Sequence, residues 1–131
     1  VRVQFVSTDL YAWKIKLDAA VSKAPAEAAK VLGKGAQNIK RDARRGAKAA
    51  AGRAARYYPY SIGYDVYSGF RGPVAEIGPD KGRPQGPLGN LLEYGSVNNP
   101  PHPHLQPAGD RELPKFATAM QALSVKLLEG Q

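Results

Sequence analysis

The sequence contains no cysteine, which excludes disulfides, thiolate-held metals and cysteine nucleophiles and leaves the redox compartment open. Long hydrophobic runs are also missing. The longest apolar stretches fall far short of the ~20 residues a membrane helix needs, and the first basic residues are not followed by the apolar core of a signal peptide. The chain therefore reads as soluble and intracellular, with no membrane partner. Negative charge is scarce: 11 Asp plus Glu stand against 19 Lys plus Arg, for a net charge of +8. That excess favours polyanions or acidic protein surfaces and does not choose between them.

What is present fits one domain over residues 1–131, because a chain of this length does not build a second independent core. The hydrophobic fraction is 43%, but much of it is alanine, so the apolar area available per residue is modest. No internal repeat is visible.

VRVQFV alternates weakly and suits a short strand or an extended arm over residues 1–8. Ser7, Thr8 and Asp9 offer helix caps ahead of LYAWKIKL, predicting a short helix over residues 9–22 with Leu10, Trp13 and Leu17 on one face. Pro25 suits the first position of a new helix. From there to about residue 56, Ala28, Leu32, Ala36, Ile39, Ala43, Ala47, Ala50 and Ala54 recur at the helical period. Gly33, Gly35, Gly46 and Gly52 each cost about 1 kcal/mol in a helix interior, so this long helix needs neighbours to hold it.

Tyr60, Ile62, Tyr64 and Val66 alternate with Ser61, Gly63, Asp65 and Tyr67, the period of a half-buried strand. Alternation assigns Tyr60 and Tyr64 to the core and leaves Tyr57, Tyr58 and Tyr67 for an interface or for stacking on single-stranded bases. Turn residues at 69–72 and the following PVAEIG predict an antiparallel hairpin. Residues 78–87, GPDKGRPQGP, predict a flexible loop. LGNLLEY predicts a short helical segment stopped by Gly95, and Pro100, Pro101 and Pro103 hold the next stretch extended. A final helix carries Leu113, Phe116, Ala117, Met120, Leu123 and Leu127 inward, with Pro114 expected in its first turn.

Lys30, Lys34, Arg41, Arg45 and Lys48 form a ridge opposite the alanine stripe, with Lys40 and Arg44 beside it. The ridge either contacts DNA phosphates or is a solvated face that docks acidic neighbours. His102 and His104 lack the further ligands a metal site needs, so no metal and no cofactor are expected. Glu93 has no evident acid–base partner, and no nucleophile with an oriented base is recognisable. No catalytic residue is assigned.

The order of the pieces is more specific than any one of them. The run Glu93, Tyr94, Gly95, Ser96, then a proline-rich stretch, then Pro103, Leu105, Pro107 and Ala108 before a last helix, resembles the tail-completion family of tailed phages, the small neck proteins that include the Z-type minor tail proteins. That family's pattern is Glu-aromatic-Gly-Thr followed by Pro-Phe-Leu-x-Pro-Ala. This chain departs from it with Ser96 for threonine, His104 for phenylalanine, and YYPYSIG where a Pro-x-Thr-Gly-x-Leu segment is expected.

The expected fold is α+β, a long N-terminal helix and a C-terminal helix packed on a small antiparallel β-sheet. The resemblance implies a non-enzymatic virion protein at the neck or head-proximal tail end. It would form a ring of its own copies, preferably a hexamer, beside neighbouring neck and tail proteins and genomic DNA passing through the channel. The alternative is a sequence-independent DNA-binding protein of nucleoid or packaging type.

Overall fold

A computed structural model of the chain describes residues 2–9, 12–18, 25–70, 72–98 and 100–129. It contains β1 (Arg2–Asp9), β2 (Ala12–Asp18), α1 (Pro25–Ala51), β3 (Ile62–Gly69), β4 (Gly72–Pro79), α2 (Gly89–Tyr94) and α3 (Leu105–Leu128). The strands form one antiparallel sheet in the order β1-β2-β4-β3. The expected α+β architecture holds, with the two long helices packed on that sheet.

The β3–β4 hairpin forms where turn chemistry placed it, from Ile62 opposite Pro79 to Gly69 opposite Gly72. Pro73 and Pro79 sit in β4 outside its ladder with β2, which runs from Val74 to Ile77, so neither proline's missing N–H breaks that pairing. Of the strand or arm expected at the N-terminus, the strand forms over residues 2–9, and residues 12–18 are a strand where a helix was expected, because β1 and β2 pair with each other and β2 pairs with β4. Residues 1, 10, 11 and 19–22 of those expectations lie outside the described residues. Trp13, Ile15 and Leu17 also alternate with Lys14, Lys16 and Asp18, and pairing with a sheet partner resolves an ambiguous period in favour of the strand.

Helix α1 lays Ala28, Leu32, Ala36, Ile39, Ala43 and Ala47 into the core, each at 1% exposure or less. Small side chains let α1 approach both the sheet and α3 closely, while Leu32, Ile39, Ile62, Ile77 and Phe116 are among the largest fully buried side chains. Each such side chain contributes about 1.5–3 kcal/mol on burial. The helix ends at Ala51 rather than near residue 56 because Gly52 turns left-handed at φ 62°, a conformation that glycine adopts without Cβ strain.

Helix α3 begins earlier than its apolar stripe suggested. Its buried positions include Leu105, Ala108, Gly109, Glu112, Phe116, Met120 and Leu123, while Leu113 is 39% exposed and Ala117 lies outside. Pro114 is therefore in the helix interior, not in its first turn. It lies on the exposed face, where the carbonyl left without an N–H partner is not buried. Residues 78–87, expected as a flexible loop, begin in β4 with Gly78 and Pro79, pass through turns and end in a 3-10 turn, Gly86–Leu88. The Asp80, Arg83 and Gly86 amides donate in succession to Ser61, Asp80 and Arg83 carbonyls, and Gln85 accepts from the Tyr57 amide at 2.7 Å and donates to the Ala54 carbonyl at 2.9 Å.

Candidate functional site

The two blocks of the family-like motif meet at the start of α3. The buried Glu93 carboxylate accepts the His104 and Leu105 amides on Oε1 at 2.9 and 2.8 Å and the Gln106 amide on Oε2 at 3.2 Å. Helix α3 starts at Leu105 with His104 as its N-cap residue, so its first four backbone positions are 104 to 107. An α-helix leaves those four amides without internal partners. Glu93 takes three of them, and the fourth residue is Pro107, which has no N–H. The negative carboxylate also faces the positive end of the helix dipole.

The other motif residues divide between this cap and the surface. Gly95 ends α2 at φ 75°, its amide donating to the Leu91 carbonyl at 2.9 Å, and the His102 amide donates back to the Leu92 carbonyl at 2.6 Å. Leu105 and Ala108 are buried under the cap. Tyr94, Ser96 and Pro103 face outward.

His104, the departure from the family pattern, is 1% exposed and has a partner on each ring nitrogen. Nδ1 lies 3.0 Å from the His102 carbonyl and 3.3 Å from Glu93 Oε1. Nε2 lies 2.6 Å from the Tyr58 hydroxyl. Because Nδ1 faces only oxygen acceptors, it carries the proton in the neutral ring and Nε2 accepts from Tyr58. Burial first, and then the Glu93 carboxylate, push the Tyr58 hydroxyl well above the usual phenol range, which keeps it a donor. The Tyr58–His104–Glu93 chain is enclosed, with no member more than 4% exposed, so what it does chemically is hold α2, α3 and the Tyr58 turn together. Gly46 permits this approach: a Cβ there would come 3.1 Å from the His104 Cβ.

Tyr58 was expected at an interface and is instead fully buried, whereas Tyr60 and Tyr64, expected in the core, are 55% and 40% exposed. Tyr60 belongs to a tight 3-10 turn, Tyr58–Ser61, that precedes the strand, so strand alternation does not govern it. Tyr64 lies on edge strand β3, with the Lys40 ammonium of α1 5.3 Å from its ring centre.

The basic residues of α1 stand as two rows. Lys30, Lys34, Arg41, Arg45 and Lys48 are exposed, on the side away from the alanine stripe. Lys40 and Arg44 turn toward the β3 edge, where Arg44 donates from Nε and Nη2 to the Ile62 carbonyl at 2.9 and 2.7 Å. Lys30 pairs with Glu27 at 3.2 Å and Lys48 sits 5.8 Å from the Tyr60 ring centre. Burial, followed by Arg44, Arg41 and Arg83, lowers the Lys40 pKa. Positive charge is thus crowded at this flank.

On the opposite flank α1 is tied to α3. Arg111 grips the Asp42 carboxylate with two bonds of 2.6 and 2.7 Å, and Asn38 donates to Glu112 at 2.9 Å. Among the described residues no cluster of three or more His, Asp or Glu is arranged to hold a metal, and no helix is long and apolar enough to cross a membrane. Sequence reasoning missed the cap made by Glu93, whose spacing of 11 to 13 residues lies outside any local capping signal. It also missed Tyr58, for which Pro59 was the available hint of a turn. Comparison with protein-family models, with curated proteins and with solved structures returns no match to this chain.

Proposed function

We propose that this chain is a structural protein of a tailed-phage virion, forming a ring at the head–tail junction or head-proximal tail end and completing the tail for head joining. The observation that carries the reading is the Glu93 cap. It makes Glu93–Tyr94–Gly95 and Leu105–x–Pro107–Ala108 one structural unit, which gives the family-like spacing a physical reason. A hexamer is the preferred assembly, with neighbouring neck and tail proteins as partners and the channel DNA as a further contact. The proposed location is the virion, and the host cytoplasm during assembly. No catalytic activity or cofactor is proposed.

The flanking genes are expected to encode portal, capsid and major tail proteins. Antibody labelling of purified particles tests the location: label at the head–tail joint supports the reading, and particles that lack the protein contradict it.

The crowding of cations around Lys40 favours one second reading, a sequence-independent DNA-binding protein of nucleoid or packaging type. Salt titration on random duplex separates the two, since phosphate contacts give an affinity that falls steeply with salt.

A further inference from the structure

Residues 60–64 run alongside the second half of α1 in the opposite direction, so that helix positions 48, 44 and 40 meet positions 60, 62 and 64. The Lys48 ammonium lies 5.8 Å from the Tyr60 ring centre, and the Lys40 ammonium 5.3 Å from that of Tyr64. Between them Arg44 donates to the Ile62 carbonyl at 2.9 and 2.7 Å. The three cations are successive i, i+4 neighbours, each about 6 Å along the helix from the next. Arg83 joins the seam from the turns after β4, donating to the Tyr60 carbonyl at 3.2 Å.

The seam gathers like charge. A lysine beside an aromatic ring keeps its positive charge and its N–H donors. Burial first, and then Arg44, Arg41 and Arg83, already disfavour the charged form of Lys40, so an arriving anion relieves repulsion there. The carboxylates nearest in sequence are directed elsewhere. Asp65, in register with Glu76, alternates to the other face of β3, and Asp80 accepts the Gly82 amide at 2.8 Å and lies 3.8 Å from Arg83. The rings stay accessible, with Tyr60 55% and Tyr64 40% exposed.

From this juxtaposition we infer that the seam between α1 and β3 binds single-stranded nucleic acid, with phosphates on Lys40 and Lys48 and bases on Tyr60 and Tyr64. A row of cations tracks a phosphate backbone, and exposed rings interleaved with it give unpaired bases a platform that tolerates any sequence. A duplex offers the seam its phosphates alone, because its base faces are already stacked on one another. The inference does not depend on a ring of copies. It rests on the DNA-binding reading above and narrows that reading to single strands and to this seam.

The test is equilibrium binding of the full chain to a labelled oligothymidylate of about 12 nucleotides, within the site sizes of single-strand grooves, against a random duplex of the same length. The single strand should bind about tenfold tighter or more at the same salt. Tyr60→Leu and Tyr64→Leu should each weaken it about tenfold, the loss of one stacked base, without changing its salt dependence. Tyr64→Phe should keep the affinity. Lys40→Gln and Lys48→Gln should each flatten the salt slope by about 0.7, the share of one phosphate on a single strand. Circular dichroism should match the parent throughout, and Tyr60→Leu, at the more exposed ring, decides the matter if Tyr64→Leu does not fold.

Duplex bound as tightly as the single strand, or affinity that survives both leucine substitutions, overturns the inference and leaves the DNA-binding reading standing. Single-strand affinity lost only through Lys34→Gln and Arg45→Gln assigns the contact to the outer ridge and also overturns it. Absence of binding to either probe overturns the inference and the DNA-binding reading together.

Discussion

The Tyr58 hydroxyl donates to Nε2 of His104 across 2.6 Å, with the two rings edge to face, 5.3 Å between centres and 89° between planes. The Tyr58 hydroxyl and His104 Nε2 are each other's partners between two side chains no more than 1% exposed. Removing one partner strands the other, at a cost of about 1–3 kcal/mol, whereas replacing both by apolar groups of similar shape is close to neutral. Tyr58→Phe and His104→Phe are each predicted to lose stability in urea unfolding, and the double variant to lose clearly less than the sum. Additive losses would contradict this pairing.

Glu93 should be the most costly single carboxylate to remove. Glu93→Ala leaves three buried or half-buried amides at the start of α3 without acceptors, and a loss of about 2–4 kcal/mol is predicted. Glu93→Gln keeps one acceptor oxygen and should lose less than half as much. Thermal unfolding of the two variants checks the order. Equal losses would mean that the carboxylate does not act as the cap.

Two glycines of α1, Gly33 and Gly35, should respond in opposite directions. Gly33→Ala meets nothing closer than 4.0 Å and is predicted to gain about 0.5–1 kcal/mol from helix propensity. Gly35→Ala brings a Cβ 3.0 Å from Phe116 Cδ2, and the strain of overpacking is predicted to exceed that gain, for a net loss of about 1 kcal/mol. Urea midpoints for the two variants should lie on either side of the parent's.

The Arg111 guanidinium, by its hydrogen bonds first and its charge as well, holds the Asp42 carboxyl below the usual carboxylate range, against the opposing effect of burial. A carboxylate with a depressed folded pKa stabilises the fold above its unfolded pKa, and that contribution disappears as pH falls through the folded value. Asp42→Asn should therefore lower stability at neutral pH by no more than about 1 kcal/mol, because the pair is solvent-screened. The difference from the parent should shrink as pH falls through the lowered folded value of this carboxyl, below the usual carboxylate range. A difference that persists into stronger acid would assign the effect to packing.

The long helix could be read from the sequence because one pattern governed it: alanines and two larger residues, Leu32 and Ile39, recur on a single face, and nothing local competes. LYAWKIKL carried two patterns at once. Leu10, Trp13 and Leu17 fit a helix, Trp13, Ile15 and Leu17 fit a strand, and pairing with β4, remote in sequence, decided between them. Glu93 was recognised as part of a motif but its role was not, since capping signals are sought within a few residues of the helix start and this cap arrives from α2. Glycine and proline at residues 78–87 pointed only to a flexible loop. What they did not show was Gln85 reaching back to residues 54 and 57.

The central claim is that the chain completes itself with its own copies, and sedimentation of the purified full chain across a wide concentration range, with electron microscopy of the same samples, tests it most directly. The account predicts closed rings of uniform size, six copies in the preferred form, and weak affinity for random duplex. A chain that remains monomeric at the highest concentration and binds duplex tightly with a steep salt dependence would contradict it.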